Sequence, residues 1–152
     1  MERTRLAAAA ALVLALSCLG VSRPVAAEDA DAALAARLRR IETAFREGDA
    51  SGIRLSSATT GKVRIDLRDL TNGAGSYGPG QLEVVFTRIF AGQQTREFGF
   101  RKEDVTVSVP GTAFARGRWV RRDGTRESTE TLTFTLREES GQWRIHEIRT
   151  SR

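Results

Sequence analysis

The sequence predicts an α+β domain whose N-terminal helices pack in the concave face of a strongly curved antiparallel sheet. Apolar residues recur at helical spacing in two early segments and at strand spacing in most of the chain beyond Phe98. An Asp123-Gly124 pair then splits the longest alternating stretch, and such a pair accepts the positive backbone angles of a tight hairpin. Helices first and strands afterwards is the order of an α+β fold, not of an alternating α/β one.

Residues 1–27 read as a signal peptide ahead of a single domain over residues 28–152. Arg3 and Arg5 give a positive start, and Leu6–Leu16 is an unbroken run of Ala, Leu and Val. Val25-Ala26-Ala27 offers compact residues to a signal peptidase, which places cleavage between Ala27 and Glu28. The apolar run falls short of the roughly 20 residues a spanning helix needs. The rival reading is a lipoprotein signal, because Cys18 follows Leu16-Ser17 directly, although Ala15 stands where leucine is usual. On that reading alone would the protein stay on a membrane surface. The expected location is otherwise periplasmic or extracellular.

Removing Arg3, Arg5, Arg23 and Glu2 lowers the net charge of +5 by two, and the single Cys and single Met go with the leader. The mature domain then relies on a packed core without disulfides, and thiolate metal sites are excluded. Its basic residues are nearly all arginine, whose planar fork suits carboxylate or phosphate, but acidic residues are interspersed among them. With so mild a charge and no concentrated basic face, nucleic acid is not an expected partner.

In Asp29–Glu47, Leu34, Leu38, Ile41 and Phe45 form a helical stripe, with Asp29 or Asp31 as caps and Gly48 as a left-handed end. Glu42 and Arg46 are spaced as an outer i,i+4 pair. Asp49 offers a cap to a short helix ending near Leu55. Lys62–Arg68 alternates as a half-buried strand, with Val63, Ile65 and Leu67 inward. Thr71–Gly80 reads as a loop, after which Pro79 opens a second amphipathic helix marked by Leu82, Val85, Phe86, Ile89 and Phe90 and ended by Gly92.

Phe98 and Phe100 share a strand phase that Val105, Val107 and Val109 do not, so Lys102-Glu103-Asp104 must be a bulge or turn. Ala113–Arg122, Arg126–Arg137 and Trp143–Thr150 complete the strands. The small residues Ala113, Ala115 and Gly117 leave room for a helix to approach, with Trp119 filling the end of that groove.

The opening helix followed by Gly48-Asp49, the stretch Tyr77-Gly78-Pro79-Gly80-Gln81 and the closing Gly141-Gln142-Trp143-Arg144-Ile145-His146 resemble the nuclear transport factor 2-like superfamily, which includes SnoaL and ketosteroid-isomerase-like proteins. Within it, the chain is most similar to a secreted bacterial family of unknown function, domain of unknown function 4783, over nearly all of residues 30–150. The resemblance implies a cone-shaped α+β barrel with a pocket at its open end. Enzymes of this type place an acid, a base or a tyrosine there, whereas many relatives only bind or dimerise.

Glu130 shares a strand side with Leu132, Phe134 and Leu136, so on a concave face it would lean into the pocket mouth with a raised pKa suited to proton transfer. The plainer alternative is a strand end where solvent returns. His146 is the single histidine; it alternates away from Trp143 and Ile145, in phase with Ile148, and reads as solvent-facing or at a dimer interface. It has no partners for a metal site. Tyr77 could reach a ligand with its hydroxyl or fold back over a helix end, Gln81 is a cap partner, and Asp66 is an exposed strand carboxylate beside arginines. Tyr77, Trp119 and Glu130 are the residues expected to line a pocket. Arg116, Arg118, Arg121, Arg122 and Arg126 gather around the hairpin as a potential anion-binding rim, and Thr129, Thr131, Thr133 and Thr135 form a ladder suited to exposed sheet or a sheet-to-sheet dimer.

With no convincing acid–base pair, the leading expectation is an exported module without catalysis or cofactor, binding a small apolar or anionic ligand or forming a homodimer through its sheet. An isomerase- or hydratase-like enzyme using Glu130 with Tyr77 or His146 is the second expectation. A structural or secretion-accessory protein is the third.

Overall fold

The computed structural model describes the backbone of residues 25–151 and the side chains from Asp29 onward. Residues 1–24 of the expected leader, with Cys18, lie outside the described residues, as do the side chains at Ala27 and Glu28.

Helix α1 (Val25–Glu47) buries Leu34, Leu38, Ile41 and Phe45 along its predicted stripe. It begins ahead of Asp29, so neither Asp29 nor Asp31 stands at its N-cap position. Its end is a Schellman turn: Gly48 sits at φ +68°, Asp49 N–H donates to the Ala44 carbonyl at 2.8 Å and Gly48 N–H to that of Phe45 at 3.4 Å. Helix α2 (Ala50–Ser56) comes directly after it. Asp49 holds its N-cap position, but its side chain makes no capping bond. The carboxylate instead lies over Gly52, where a Cβ would come within 2.5 Å of it.

Strand β1 (Val63–Asp66) is shorter than its alternation suggests, because the chain turns into a 3-10 segment at Arg68–Leu70 while Leu67 stays buried. The stretch expected to be loop contains strand β2 (Gly75–Tyr77), which pairs antiparallel with β1, Val63 facing Tyr77. Helix α3 (Pro79–Gly92) starts at Pro79, and Gln81 Oε1 accepts the Gly78 N–H at 3.2 Å, the capping role expected of it.

The remaining strands are β3 (Gln94–Val109), β4 (Thr112–Asp123), β5 (Arg126–Glu139) and β6 (Gln142–Thr150). Spatial order is β2-β1-β6-β5-β4-β3. The pairs are antiparallel, as expected, except β1 with β6, which is parallel. Strand alternation alone carries no information on that direction. At the β4–β5 hairpin Asp123 pairs with Arg126, so the turn itself is Gly124 and Thr125, with Gly124 at φ +57°.

Two irregularities bend the sheet and set what faces inward. On β3, Phe100 pairs with Gly117 and Val105 with Ala115, so residues 101–104 bulge opposite Arg116 alone, as the phase change predicts. On β6, Leu136 pairs with Ile145 and Thr135 with Glu147, leaving His146 as the extra residue of a bulge. The bulge reverses the phase: Ile148 is fully buried like Ile145, and does not share a face with His146 as simple alternation implies.

The core centres on Phe45. Its ring stacks on Phe98 at 4.2 Å and meets Phe86, Phe90, Trp119 and Phe134 edge-on at 5.4–5.9 Å between centroids. Gly117 makes room not for a helix but for rings of the neighbouring strand, since a Cβ there would lie 2.6 Å from Phe98 and 3.0 Å from Phe100. Glu42 and Arg46 form the expected i,i+4 pair at 3.9 Å, and both also reach the sheet edge. Glu42 Oε1 accepts the Phe100 N–H and Arg46 Nε donates to the Phe98 carbonyl, both at 2.8 Å, so α1 covers the free edge of β3.

Candidate functional site

The aromatic cluster closes towards the β4–β5 hairpin with a set of polar side chains. Trp119 is fully buried against Phe45, and its indole N–H donates to Thr95 Oγ1 at 3.0 Å. Arg121 lies over the Trp119 ring at 5.6 Å and is only 7% exposed. Its guanidinium donates to Glu130 Oε1 at 2.6 Å and to Gln93 Oε1 at 2.5 Å. Glu130 does face inward, as its phase with Leu132 predicts. It is bonded to a guanidinium, however, and not set in the apolar wall that a proton-transfer role requires. Arg121 sits inside the fold, and not on the hairpin rim that its place in the sequence suggests.

Tyr77 lies at the other side of α3. It lines a groove of about 360 Å³ with Leu70, Val85, Arg88, Ile89 and Gln93. Its ring folds back along its own strand, with the hydroxyl in the space that Gly75 leaves free. Gln93 links the two regions, lining this groove while bonding Arg121.

His146 belongs to a third place. Its Nε2 meets Glu139 Oε1 at 2.7 Å, while Glu139 Oε2 accepts the N–H and hydroxyl of Thr59 at 3.3 and 3.0 Å. Partial burial works to raise the Glu139 pKa, but the hydrogen bonds from Thr59 and His146 outweigh it and hold the carboxyl below its ordinary value. Glu130, Tyr77 and His146 therefore each have their own surroundings, and no described hydrogen bond joins any two of them.

Of the hairpin arginines expected as an anion-binding rim, three on the outer face are paired with carboxylates. Arg118 pairs with Glu97 at 3.1 Å, Arg116 with Asp104 at 3.7 Å and Arg122 with Glu127 at 3.8 Å. Asp66 lies opposite Arg149 of β6. Of the threonine ladder, Thr129 and Thr131 are exposed, whereas Thr133 is buried and shares a 2.6 Å hydrogen bond with Ser151.

Between α1 and the bulged half of β3 runs a groove of about 600 Å³. Leu34, Leu38, Phe100, Val105 and Val107 form its floor, and Arg39, Arg101 and Lys102 stand along it. Val107 is 48% exposed. Arg101 is exposed but paired with Asp104 at 2.7 Å, whereas Arg39 and Lys102 are exposed cations for which no ion pair is described. Asp31 and Glu42 also border the groove, and Glu42 is occupied by the Phe100 N–H and by Arg46. The phase change across residues 101–104 was the sequence signal for the bulge that shapes this groove.

Three helices against a six-stranded, mostly antiparallel sheet, with the opening helix in the bend, define the nuclear transport factor 2-like cone fold. Solved structures agree. A DUF4783 family protein from Bacteroides uniformis matches with a TM-score of 0.61 at 16% identity, covering 75% of this chain and 94% of that one. An NTF-2 like protein of unknown function from Shewanella oneidensis gives 0.58 at 16% identity, covering 83% and 98%. A ketosteroid isomerase-like protein from Erwinia carotovora atroseptica gives 0.59 at 19% identity, covering 82% and 93%. No family model matches the sequence, and no curated protein does. The chain thus has the nuclear transport factor 2-like fold as a domain of unknown function, and at these identities the likeness concerns the fold alone.

Proposed function

We propose that this protein is an exported, non-catalytic module that binds a small amphiphile, an apolar body with one anionic head, in the groove between α1 and β3. The observation that carries this reading is the combination of an apolar floor with solvent-facing cations. Leu38, Val105 and Val107 would take the apolar body, while Arg39 and Lys102 would meet the head. A cavity of about 600 Å³ lies within the usual range for small-molecule sites. The interior of the cone offers less, because six aromatic rings converge there. Export rests on the leader read over residues 1–27, with cleavage between Ala27 and Glu28 or, alternatively, acylation at Cys18.

Dodecanoate and dodecanol are suitable probes. Dodecanoate at a hundred times its Kd should stabilise the domain by about 2.7 kcal/mol in a thermal-shift experiment. Dodecanol should do less, and Val107→Asp should abolish the response. No shift with either probe at saturation would overturn the reading. Homodimerisation through the outer sheet face is the second reading, favoured by Phe114, which is 39% exposed there, and light scattering that finds a strict monomer would exclude it.

A further inference from the structure

On the opposite side of α1 lies a second groove, between α1 and α2, of about 470 Å³. Arg37, Arg40 and Ser56 line it. Arg37 is 9% exposed, and the partner its guanidinium has is Ser56 Oγ, at the long distance of 3.5 Å. A guanidinium carries five N–H donors, so most of this one's capacity is unspent. The charges acting on Arg37 are Arg144 and Arg40, both positive, and burial together with that repulsion lowers its pKa. Arg144 approaches from β6 behind the groove, where its fork is engaged by the Leu55 carbonyl at 2.6 Å and by Gln142 Oε1, and its Nε is buried without a partner. Asp49, the one carboxylate along the lining, is turned onto Gly52.

Helix capping accounts for part of this. One cation at the C-terminal end of α2 satisfies carbonyls and suits the helix dipole, and Arg144 does that. It gives no reason for a second, nearly buried guanidinium beside the first, with an exposed third at the groove. Burying unpaired like charges is costly unless a counter-charge joins them.

We infer that Arg37 and Arg40, with the Ser56 hydroxyl and with Arg144 adding its charge from behind the groove, form a binding site for a tetrahedral oxyanion of the phosphate class. Two forks and a hydroxyl supply more donors than the two oxygens of a carboxylate can accept, which favours a phosphoryl group. The group could belong to a soluble phosphate ester or to a lipid headgroup. This groove shares Arg39 with the amphiphile groove at their common margin, but Arg37, Arg40 and Ser56 belong to it alone, and its ligand chemistry is different.

Inorganic phosphate tests it, titrated at constant ionic strength against chloride and followed by the Arg Nε–Hε signals in NMR and by thermal shift. Phosphate should move the Arg37 and Arg144 signals and raise the melting temperature. Arg40→Gln, at an exposed position, should weaken phosphate binding about tenfold or more. Arg118→Gln on the outer sheet and Val107→Asp in the other groove should change it less than twofold. Arg37→Met should melt higher than the parent without phosphate and lose the phosphate response, whereas a purely structural arginine predicts a lower melting point and an unchanged response. Should Arg37→Met not fold, Arg40→Gln still decides the matter. Retention on phosphatidic acid vesicles but not on phosphatidylcholine would assign the oxyanion to a lipid, and its absence to a soluble ester. Equal responses in the parent and Arg40→Gln, or a chloride response matching that of phosphate, would overturn the site.

Discussion

The two sides of the sheet's concave face differ in how they treat apolar surface. Around Phe45 the rings of Phe86, Phe90, Phe98, Trp119 and Phe134 close on one another, and Arg121 with Glu130 seals the end. A few residues along the same strand, past the bulge at residues 101–104, Val105 and Val107 line an open groove against α1. One strand thus serves as core wall and as groove wall, and the bulge separates the two roles. In this fold a filled cone need not mean an absent binding surface. The apolar surface that stays accessible here lies at the margin of the first helix.

Substitutions can break or sharpen that comparison. Phe45→Ala should be the most damaging, by about 4 kcal/mol, because it removes the ring all the others touch. Denaturant unfolding measures it, and a loss below about 1.5 kcal/mol would mean the cluster is not one unit. Arg121→Ala should cost about 3 kcal/mol by leaving the Glu130 carboxylate buried alone, while an Arg121→Met/Glu130→Leu double variant should recover most of it. A double-mutant cycle reads the difference. At the margin, Val107→Ser should leave stability within about 0.5 kcal/mol while weakening dodecanoate binding, measured by calorimetry.

The smallest effect belongs to the pair at the opposite end of β5. Hydrogen bonds hold the Glu139 carboxyl below its ordinary 4.5, so on acidification the unfolded chain binds this proton first. Its stabilisation is complete above that value and is lost as pH falls through the folded value. Glu139→Gln should therefore flatten the acid limb of a stability–pH curve, and an unchanged limb would show that the contacts to Thr59 and His146 contribute nothing.

Much of the architecture was legible in the residues. The stripe of Leu34, Leu38, Ile41 and Phe45, the Gly48 turn, the Pro79 helix start and the phase change before Val105 each act locally, within a few residues. What escaped depends on partners distant in the chain. Strand β2 is three residues in a glycine-rich stretch and exists because β1 offers an edge. The parallel β1–β6 pairing leaves no periodic trace, and the His146 bulge is set by the register with β5. Glu130 shares the inward side of its strand with Leu132, but its partner Arg121 comes from β4, and the second partner of Arg121, Gln93, from the end of α3. The Arg37–Arg144 cluster joins α1 to β6 and has no sequence signature at all.

The position of β6 has a consequence for how the molecule assembles. The last strand lies between β1 and β5, with Ser57 and Ala58 also docking on Ile145. Contacts of such long sequence separation slow folding, because the loop between them must close before they gain anything. Until that final segment arrives, β1 and β2 have no neighbour to join, and the two halves of the sheet remain separate pieces. A nascent chain would therefore stay pliable until its C-terminal residues are available.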